Sequence, residues 1–131
     1  MGELLEERRR GSTTEVVRRQ LAALAETMPA DRWNRLTVAY EPVWAIGTGE
    51  TATPAQAQEV HHFIRGWAEG PLGKSGAAAL RILYGGSVKP ENSGSLMAQT
   101  DVDGLLVGTA SLDPSVFAGV IKNGLSQETL K

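Results

Sequence analysis

One carboxylate in this sequence stands where a general base could work. Glu41 ends an apolar run over residues 36–40 and opens a loop in the segment AYEPVWAIGTG, where a proline and two glycines follow it. A carboxylate beside an apolar loop that closes over it is poorly solvated when charged, which favours a role as general base. Trp44 and Ile46 would supply the apolar cover. The alternative is a structural ion pair or helix cap, the commoner role of a single carboxylate.

Two glycine-containing segments stand in matching positions further along the chain. Residues 85–87 (GGS) follow the apolar run over 81–84, and residues 108–111 (GTAS) follow the run over 105–107. Glycines at such turns let backbone N–H groups approach an anion, and phosphate is the natural ligand. For any one glycine pair, a tight turn without a ligand is the commoner explanation. Because the carboxyl ends of parallel strands meet at one edge of a sheet, the three strand ends together predict one site.

Two other polar features of the sequence are weaker candidates for a functional site. The adjacent histidines His61 and His62 invite a metal or acid–base interpretation. Adjacent residues on a helix project to different sides, so the two rings are poorly placed to share one site. We expect them on a solvated or partly packed helix face. The charged run ERRR at residues 7–10 is likewise expected to be a solvated turn and not a nucleic-acid patch.

Helix caps and apolar runs divide the sequence into short elements. Ser12 with Glu15, and Thr53 with Gln56, form capping-box signatures before apolar residues at helical spacing. The other boundaries are set by glycine and proline. In order, the predicted elements are a charged helical turn over 1–10, a helix over 13–28, a strand over 36–40, a helix over 54–69, a glycine-rich loop over 70–76, a strand over 81–84, a helix over 90–99, a strand over 105–107 and a helix over 114–123 with Gly124 as its C′ residue.

This alternation predicts an α/β fold in which right-handed crossovers build a parallel sheet. The strands are almost wholly apolar, which is typical of strands covered on both faces. Gly94, inside the helix over 90–99, is expected to weaken that helix by about 1 kcal/mol relative to alanine.

Composition narrows the range of partners. The 131 residues include 13 Lys or Arg and 15 Asp or Glu, for a net charge of −2, so there is no basic field to bind a nucleic-acid backbone. The absence of cysteine excludes disulfides and thiolate metal clusters and fits a reducing compartment. No apolar run approaches the ~20 residues of a membrane span. We therefore expect a cytoplasmic chain with no nucleic-acid and no membrane partner.

Three motifs together resemble the triosephosphate isomerase family. AYEPVWAIGTGETATPAQAQEVH (residues 39–61) resembles the family's signature region, YGGSVKPEN (84–92) its seventh-strand phosphate loop, and VDGLLVGTASL (102–112) its eighth. With GELLEERRRG (2–11) and the helix after it, the resemblance covers essentially the whole chain. It implies the last part of a TIM (β/α)8 barrel, from just after the fifth strand, as a single partial domain over residues 1–131. The full barrel typically needs ~250 residues.

The resemblance also implies a reaction and its residues. Glu41 would move a proton between two carbons of a triose phosphate, interconverting dihydroxyacetone phosphate and glyceraldehyde 3-phosphate in glycolysis and gluconeogenesis, with no cofactor and no metal. Backbone N–H groups that bind the substrate phosphate would come from Gly47, Ser87, Gly108 and Thr109. A lid over residues 42–51 would comprise Pro42, Val43, Trp44, Ala45, Ile46, Gly47, Thr48 and Gly49. Tyr84 and Ser87 would hold the lid closed, and Glu3 would meet the indole of Trp44. A homodimer is implied as well.

The sequence departs from the family pattern in three respects. Thr109 stands where the family usually has a second glycine, and Ser93-Gly94 interrupts a helix that the family builds from better helix formers. The asparagine and lysine that end the family's first strand have no counterpart, nor does the histidine that polarises the carbonyl. Catalytic groups act as a unit, so we expect little isomerase activity from this chain alone. Three parallel strands without barrel closure also leave two apolar edges and an uncovered interior face, which predicts marginal stability.

Two hypotheses about function follow. In the first, the chain is part of a triosephosphate isomerase whose barrel is completed by a complementary N-terminal portion or by self-association. Identical copies would still lack the lysine and the histidine. In the second, the chain is a non-catalytic remnant of the family that binds phosphate or serves as an interaction module.

Overall fold

Three short apolar segments form a parallel sheet at the centre of the fold. The computed structural model describes residues 1–128, and the strands lie in the order β1-β2-β3. In chain order these strands are β1 (Thr37–Tyr40), β2 (Arg81–Tyr84) and β3 (Gly104–Leu105). Their pairing places Tyr40 beside Tyr84 and Tyr84 beside Leu105. The predicted α/β fold with a parallel sheet is confirmed, and residues 129–131 of the predicted domain lie outside the described residues.

Helices connect and cover the strands. The α-helices are α1 (Leu5–Arg9), α2 (Thr13–Thr27), α3 (Pro54–Ala79), α4 (Pro90–Met97) and α5 (Pro114–Glu128). Short 3-10 helices lie at Ala30–Arg35, Val43–Ala45 and Thr109–Ser111. No helix within residues 1–128 is both long enough and apolar enough to cross a lipid bilayer.

Only one face of the sheet is fully covered. Tyr40 and Tyr84 are buried, whereas Ala39 and Leu83, which precede them, are half-buried. Successive side chains of a strand point to opposite faces, so the two tyrosines share the covered face. That face belongs to a core cluster that includes Leu21 of α2, Val60 and Ile64 of α3, and Leu96 of α4. The prediction that the strands are covered on both faces is therefore wrong for the described residues.

The two predicted capping boxes have different outcomes. At the start of α3 the box is formed, since the Gln56 N–H donates to Thr53 Oγ1 at 3.2 Å and the Thr53 N–H donates to Gln56 Oε1 at 2.9 Å. At the start of α2 it is not formed, because Ser12 makes no side-chain cap. The Ser12 N–H donates to the Glu7 carbonyl at 2.9 Å, and φ of −93° with ψ of 8° leaves the residue in a near-helical turn. This backbone is far from the extended conformation of a capping residue.

The glycine-rich segment over 70–76 is helical on either side of a break at Gly73, so its prediction as a loop throughout is wrong. α3 continues to Ala79 and is interrupted at Gly73, whose φ of 67° and ψ of 171° fall in a region that is essentially restricted to glycine. Arg65 stabilises the second part of the helix by donating from NH1 to the carbonyls of Ala77 and Leu80, each at 2.9 Å. A contact across the kink therefore overrides the weak helix propensity of this segment.

Two boundaries near the end of the chain differ from prediction. α5 passes through Gly124, which was predicted as the C′ residue, and continues to Glu128. A Cβ atom at position 124 would lie 3.4 Å from Met97 Cγ, in van der Waals contact with α4. β3 is placed at Gly104–Leu105 and not at 105–107, although the Leu106 N–H still donates to the Tyr84 carbonyl at 2.8 Å.

Two glycines of α3 should respond oppositely to alanine. Gly66 has helical backbone and open space around its Cα, so Gly66→Ala should raise the free energy of unfolding by up to about 1 kcal/mol. Gly73→Ala should lower it by about 1–3 kcal/mol, because alanine is strained at this φ and ψ. Urea unfolding monitored by circular dichroism measures both changes. Equal effects of the two substitutions would contradict a fixed break at Gly73.

Candidate active site

The carboxyl ends of the three strands surround one cleft of about 580 Å³. Of the residues predicted from sequence, the lining contains Glu41, Ile46, Gly47, Ser87, Gly108 and Thr109. The three strand ends that the sequence singled out are therefore brought together. The remaining predicted residues, all from the lid or its contacts, do not line the cleft: Glu3, Pro42, Val43, Trp44, Ala45, Thr48, Gly49 and Tyr84.

Glu41 lies where β1 ends and rests against the neighbouring strand end. The Gly85 N–H donates to the Tyr40 carbonyl at 2.8 Å, which keeps the backbones of β1 and β2 together up to this point. A Cβ atom at position 85 would lie 2.5 Å from Glu41 Cγ and 3.3 Å from Oε2, so only glycine leaves room for the carboxylate. Within residues 1–128 the Glu41 carboxylate forms no hydrogen bond and no ion pair. This observation weighs against a structural ion pair or cap.

Four of the backbone N–H groups around the cleft have no acceptor within the described residues. Those of Gly47, Ser87, Gly108 and Thr109 donate no hydrogen bond to any residue in the described part of the chain. Unpaired donors in a concave surface suit an anion. Every residue with positive φ within residues 1–128 is a glycine, so Thr109 is accommodated without the left-handed backbone that would strain it.

The segment after Glu41 is tied to the protein by Trp44. Its Nε1–H donates to Glu3 Oε1 at 3.1 Å, which is the predicted contact. Glu3 is fully buried, and its carboxylate also accepts from the Tyr40 hydroxyl at 3.1 Å. Burial and the adjacent Glu3 carboxylate raise the pKa of Tyr40 well above its ordinary value. Of the two residues expected to cover Glu41, Ile46 lines the cleft and Trp44 does not.

The far end of the predicted lid over residues 42–51 lies beside Tyr84. Its buried hydroxyl accepts a hydrogen bond from the Ala52 N–H at 2.9 Å and lies 3.1 Å from Thr51 Oγ1. A Cβ atom at position 86 would lie 2.1 Å from this hydroxyl, so glycine is required there. Ser87, the second predicted latch residue, bonds through its carbonyl to Asn92 and makes no hydrogen bond to residues 42–51 in the described structure.

Sequence reasoning missed two charged residues in the cleft lining, Lys89 and Asp113. Asp113 precedes α5, and its Oδ1 accepts from the Ser115 hydroxyl at 2.6 Å and the Ser115 N–H at 2.8 Å. The hydrogen bond from the Ser115 hydroxyl has the largest lowering effect on the pKa of Asp113, and those from the Val116 and Ser115 N–H groups lower it further. The Asp113 carboxylate is thus engaged by α5, and Lys89 adds a positive charge to the cleft. The family motif YGGSVKPEN already contained Lys89.

Comparison with known proteins identifies the family. The family model described as triosephosphate isomerase matches residues 1–124. This chain belongs to the triosephosphate isomerase family. It is 54% identical over 122 residues to the glycosomal triosephosphate isomerase of Trypanosoma cruzi, which covers 93% of this chain and 48% of that protein.

Relatives from a fungus and a bacterium give the same result. The chain is 53% identical over 121 residues to the triosephosphate isomerase of Paracoccidioides lutzii, covering 92% of this chain and 48% of that protein. It is 52% identical over 122 residues to the triosephosphate isomerase of Trichlorobacter lovleyi, covering 93% of this chain and 49% of that protein. The chain therefore spans about half the length of the curated relatives that it matches.

A polar cluster at the opposite end of the sheet was not found by sequence reasoning. The Asp101 carboxylate accepts from Gln58 Nε2 at 2.6 Å and Arg65 Nε at 2.7 Å, and it lies 3.0 Å from His62 Nδ1. Burial acts to raise the pKa of Asp101, but the hydrogen bonds from Gln58, Arg65 and His62 outweigh it and leave the pKa lowered. Arg65 also donates to Asp103 at 2.7 Å. Within residues 1–128 no group of three or more acidic or histidine side chains is placed to hold a metal ion.

His61 is part of the core, which differs from the predicted solvated or partly packed face. Its ring is fully buried against Tyr40 and Tyr84, with ring centroids 5.9 and 6.5 Å away. Nδ1 lies 3.2 Å from the Asp101 carbonyl oxygen, and Nε2 has no partner within the described residues. Burial lowers the pKa of His61 to about 4. Residue 61 shares the inner stripe of α3 with Ala57 and Ile64, whereas residue 62 is exposed.

The lowered pKa of His61 should make stability depend on pH. Between pH 6.5 and 4 the unfolded chain binds a proton at this ring and the folded chain does not, so the free energy of unfolding falls as pH is lowered. His61→Phe should flatten this slope. Urea unfolding at several pH values measures it, with His62→Gln as the exposed control. An unchanged slope in His61→Phe would show that other groups cause the dependence.

Loss of the hydrogen bond at the Tyr84 hydroxyl should have a different effect from loss of the one at the neighbouring Tyr40 hydroxyl. Tyr84→Phe leaves the buried Ala52 N–H without its acceptor, which should destabilise the protein by about 1–3 kcal/mol and speed exchange of that amide. Tyr40→Phe is the matched control, because its hydroxyl bonds to Glu3 instead. Hydrogen exchange measured by NMR should show faster exchange at Ala52 in the first variant alone.

Proposed function

We propose that this chain is the part of a triosephosphate isomerase that carries the catalytic base and the phosphate loops. The supporting observation is the pairing of a Glu41 carboxylate free of hydrogen bonds with unpaired N–H groups on the same cleft. The reaction would be the interconversion of dihydroxyacetone phosphate and glyceraldehyde 3-phosphate. No cofactor enters this proposal, since proton transfer next to a carbonyl needs only a base, an electrophile and exclusion of water.

In the proposed mechanism, Glu41 removes a proton from the carbon beside the substrate carbonyl. The electron pair of that C–H bond would form a carbon–carbon double bond as the carbonyl electrons move onto the oxygen, giving an enediolate. The hydroxyl proton of the first carbon would pass to this oxygen, a transfer that falls to the missing electrophile, and Glu41 would return its proton to the former carbonyl carbon, so that the first carbon becomes the new carbonyl. Gly85 leaves the space in which the carboxylate reaches the cleft. Ile46, at one edge of the cleft, would help to exclude water when the lid over residues 42–51 closes.

The substrate phosphate would be held by the backbone. Gly47 of the lid, Ser87, Gly108 and Thr109 would each donate an N–H to its oxygens, and the ammonium group of Lys89 would add electrostatic attraction. Glu3 and Tyr84 would fix the two ends of the lid through Trp44 and Ala52. Closure of the lid over the phosphate would then place the reacting carbons beside Glu41.

The proposed site lacks an electrophile. The asparagine, lysine and histidine implied by the family resemblance have no match in this chain. His61 cannot substitute for the histidine, because it is buried among Tyr40, Tyr84 and Asp101 and does not line the cleft. We therefore expect Glu41 alone to give little turnover.

We propose that a complementary N-terminal portion of the barrel supplies the missing groups. The chain spans about half the length of its relatives, and the second face of its sheet is only half-buried. Apolar side chains also stay exposed beyond β3 and along α5, namely Leu106 (43%), Leu112 (82%), Ile121 (46%) and Leu125 (55%). Self-association would cover this surface too, but identical copies would bring no electrophile. The homodimer, the cytoplasmic location and a single partial domain stay predictions.

The second candidate function is a non-catalytic phosphate-binding remnant of the family. The observation that favours it is the lack of an electrophile beside Glu41. Both candidates predict phosphate binding at the cleft, so binding alone does not separate them. Isomerase turnover, measured after a complementary N-terminal portion is supplied, does separate them.

Complementation should decide between the two candidates. The purified chain should isomerise glyceraldehyde 3-phosphate slowly if at all, and addition of the N-terminal portion of a relative should raise the rate. Glu41→Asp should then lower kcat by about 10²-fold, because it withdraws the base from the substrate. Glu50→Asp, an exposed lid carboxylate outside the cleft lining, is the matched control.

Two results would contradict parts of this proposal. Full activity of the isolated chain would remove the need for a complementary portion. Phosphate binding without turnover in the mixture, with both parts shown by light scattering to associate, would favour the non-catalytic alternative.

A further inference from the structure

The first three residues run beside the end of β1 and hydrogen-bond to the backbone there. The Met1 amino group donates to the Ala39 carbonyl at 2.8 Å, and the Glu41 N–H donates to the Met1 carbonyl at 2.7 Å. Further on, the Val43 N–H donates to the Glu3 carbonyl at 3.0 Å. Residues 1–3 therefore fix the backbone on both sides of Glu41.

Gly2, in the middle of this segment, is bound at both of its polar groups by one side chain. Its N–H donates to Gln20 Oε1 at 2.9 Å, and its carbonyl accepts from Gln20 Nε2 at 3.0 Å. Gln20 lies on α2, a helix whose Val17 and Leu21 are anchored in the core. The carboxamide therefore connects a rigid helix to the segment that pairs with the end of β1.

The same glycine lies directly against the backbone of Glu41. A Cβ atom at position 2 would be 1.9 Å from the Glu41 carbonyl oxygen and 2.5 Å from its carbonyl carbon. On the other side, the Glu41 side chain lies against Gly85. Glu41 is thus held between two glycines on neighbouring segments, and a displacement of either one moves it.

We propose that Gln20 is a positioning residue for Glu41. It acts through Gly2, which its carboxamide holds against the Glu41 carbonyl, and it touches neither the cleft nor the substrate. The inference rests on the proposed function for its catalytic meaning. Its structural content, that Gln20 sets where Glu41 lies, stands without it.

The chemistry of this contact requires a carboxamide. One acceptor and one donor must face the peptide groups of Gly2 at the same time, and glutamine supplies both. Gln20→Glu keeps the shape of the side chain but places a carboxylate oxygen against the Gly2 carbonyl. Gln20→Met keeps the length and loses both hydrogen bonds. Arg19→Ala, at the exposed neighbouring position on α2, is the matched control.

The test measures the environment of Glu41 in the full chain by NMR. In Gln20→Glu and Gln20→Met, the amides of Glu41 and Val43 should exchange at least about fivefold faster relative to wild type, while the amides of Val38 and Ile82 keep their rates. The carboxyl carbon signal of Glu41, identified by its loss in Glu41→Gln, should move in both variants. Neither quantity should change in Arg19→Ala.

Each other outcome overturns the proposal. Unchanged exchange at Glu41 and Val43 would show that Gln20 does not fix this backbone. Faster exchange over the whole sheet, with the Glu41 carboxyl signal unmoved, would reduce Gln20 to general stabilisation. Failure of the proposed function would instead appear as absent isomerase turnover after complementation, with the exchange pattern unaffected, so the two failures are distinguishable.

Discussion

The in-register pairing of β1 with β2 is the constraint on which the site depends. Because Tyr40 lies beside Tyr84, the next residues of the two strands, Glu41 and Gly85, meet at the cleft, and the Gly85 N–H bonds to the Tyr40 carbonyl at 2.8 Å. The same register turns both tyrosine rings to the covered face, where the Tyr40 hydroxyl reaches Glu3 and the Tyr84 hydroxyl reaches the Ala52 N–H. A shift by one residue would turn every side chain to the other face and separate these contacts.

The two ends of the sheet are built differently. At the amino ends, Asp101, Asp103 and Arg65 form short charged hydrogen bonds, and Asp103 also accepts from the Ile82 N–H at 2.7 Å. At the carboxyl ends, the Glu41 carboxylate and several N–H groups have no partner within residues 1–128. Satisfied polar groups stabilise one end, and unsatisfied groups at the other end are available to a ligand.

Predictions from sequence succeeded where short-range patterns decide the structure. The Thr53–Gln56 box forms because both partners belong to one helical turn, and the strand over 81–84 is placed as predicted. They failed where a distant contact decides. Arg65 bonds to the carbonyls of Ala77 and Leu80 at the end of α3, beyond the glycine-rich segment over 70–76 that was predicted as a loop. His61 was assigned to a partly packed surface because spacing alone does not tell which side of a helix meets a sheet.

The sequence by itself determined the family, the α/β class and the three strand ends that carry the candidate chemistry, because these depend on local motifs and on apolar periodicity. The tertiary structure decided which of those residues meet. It placed Ile46 in the cleft and left Trp44 outside its lining, added Lys89 to that lining, and set Glu41 between two glycines. Such contacts join residues far apart in the chain, and their distances follow from strand register and helix packing, which no local pattern encodes.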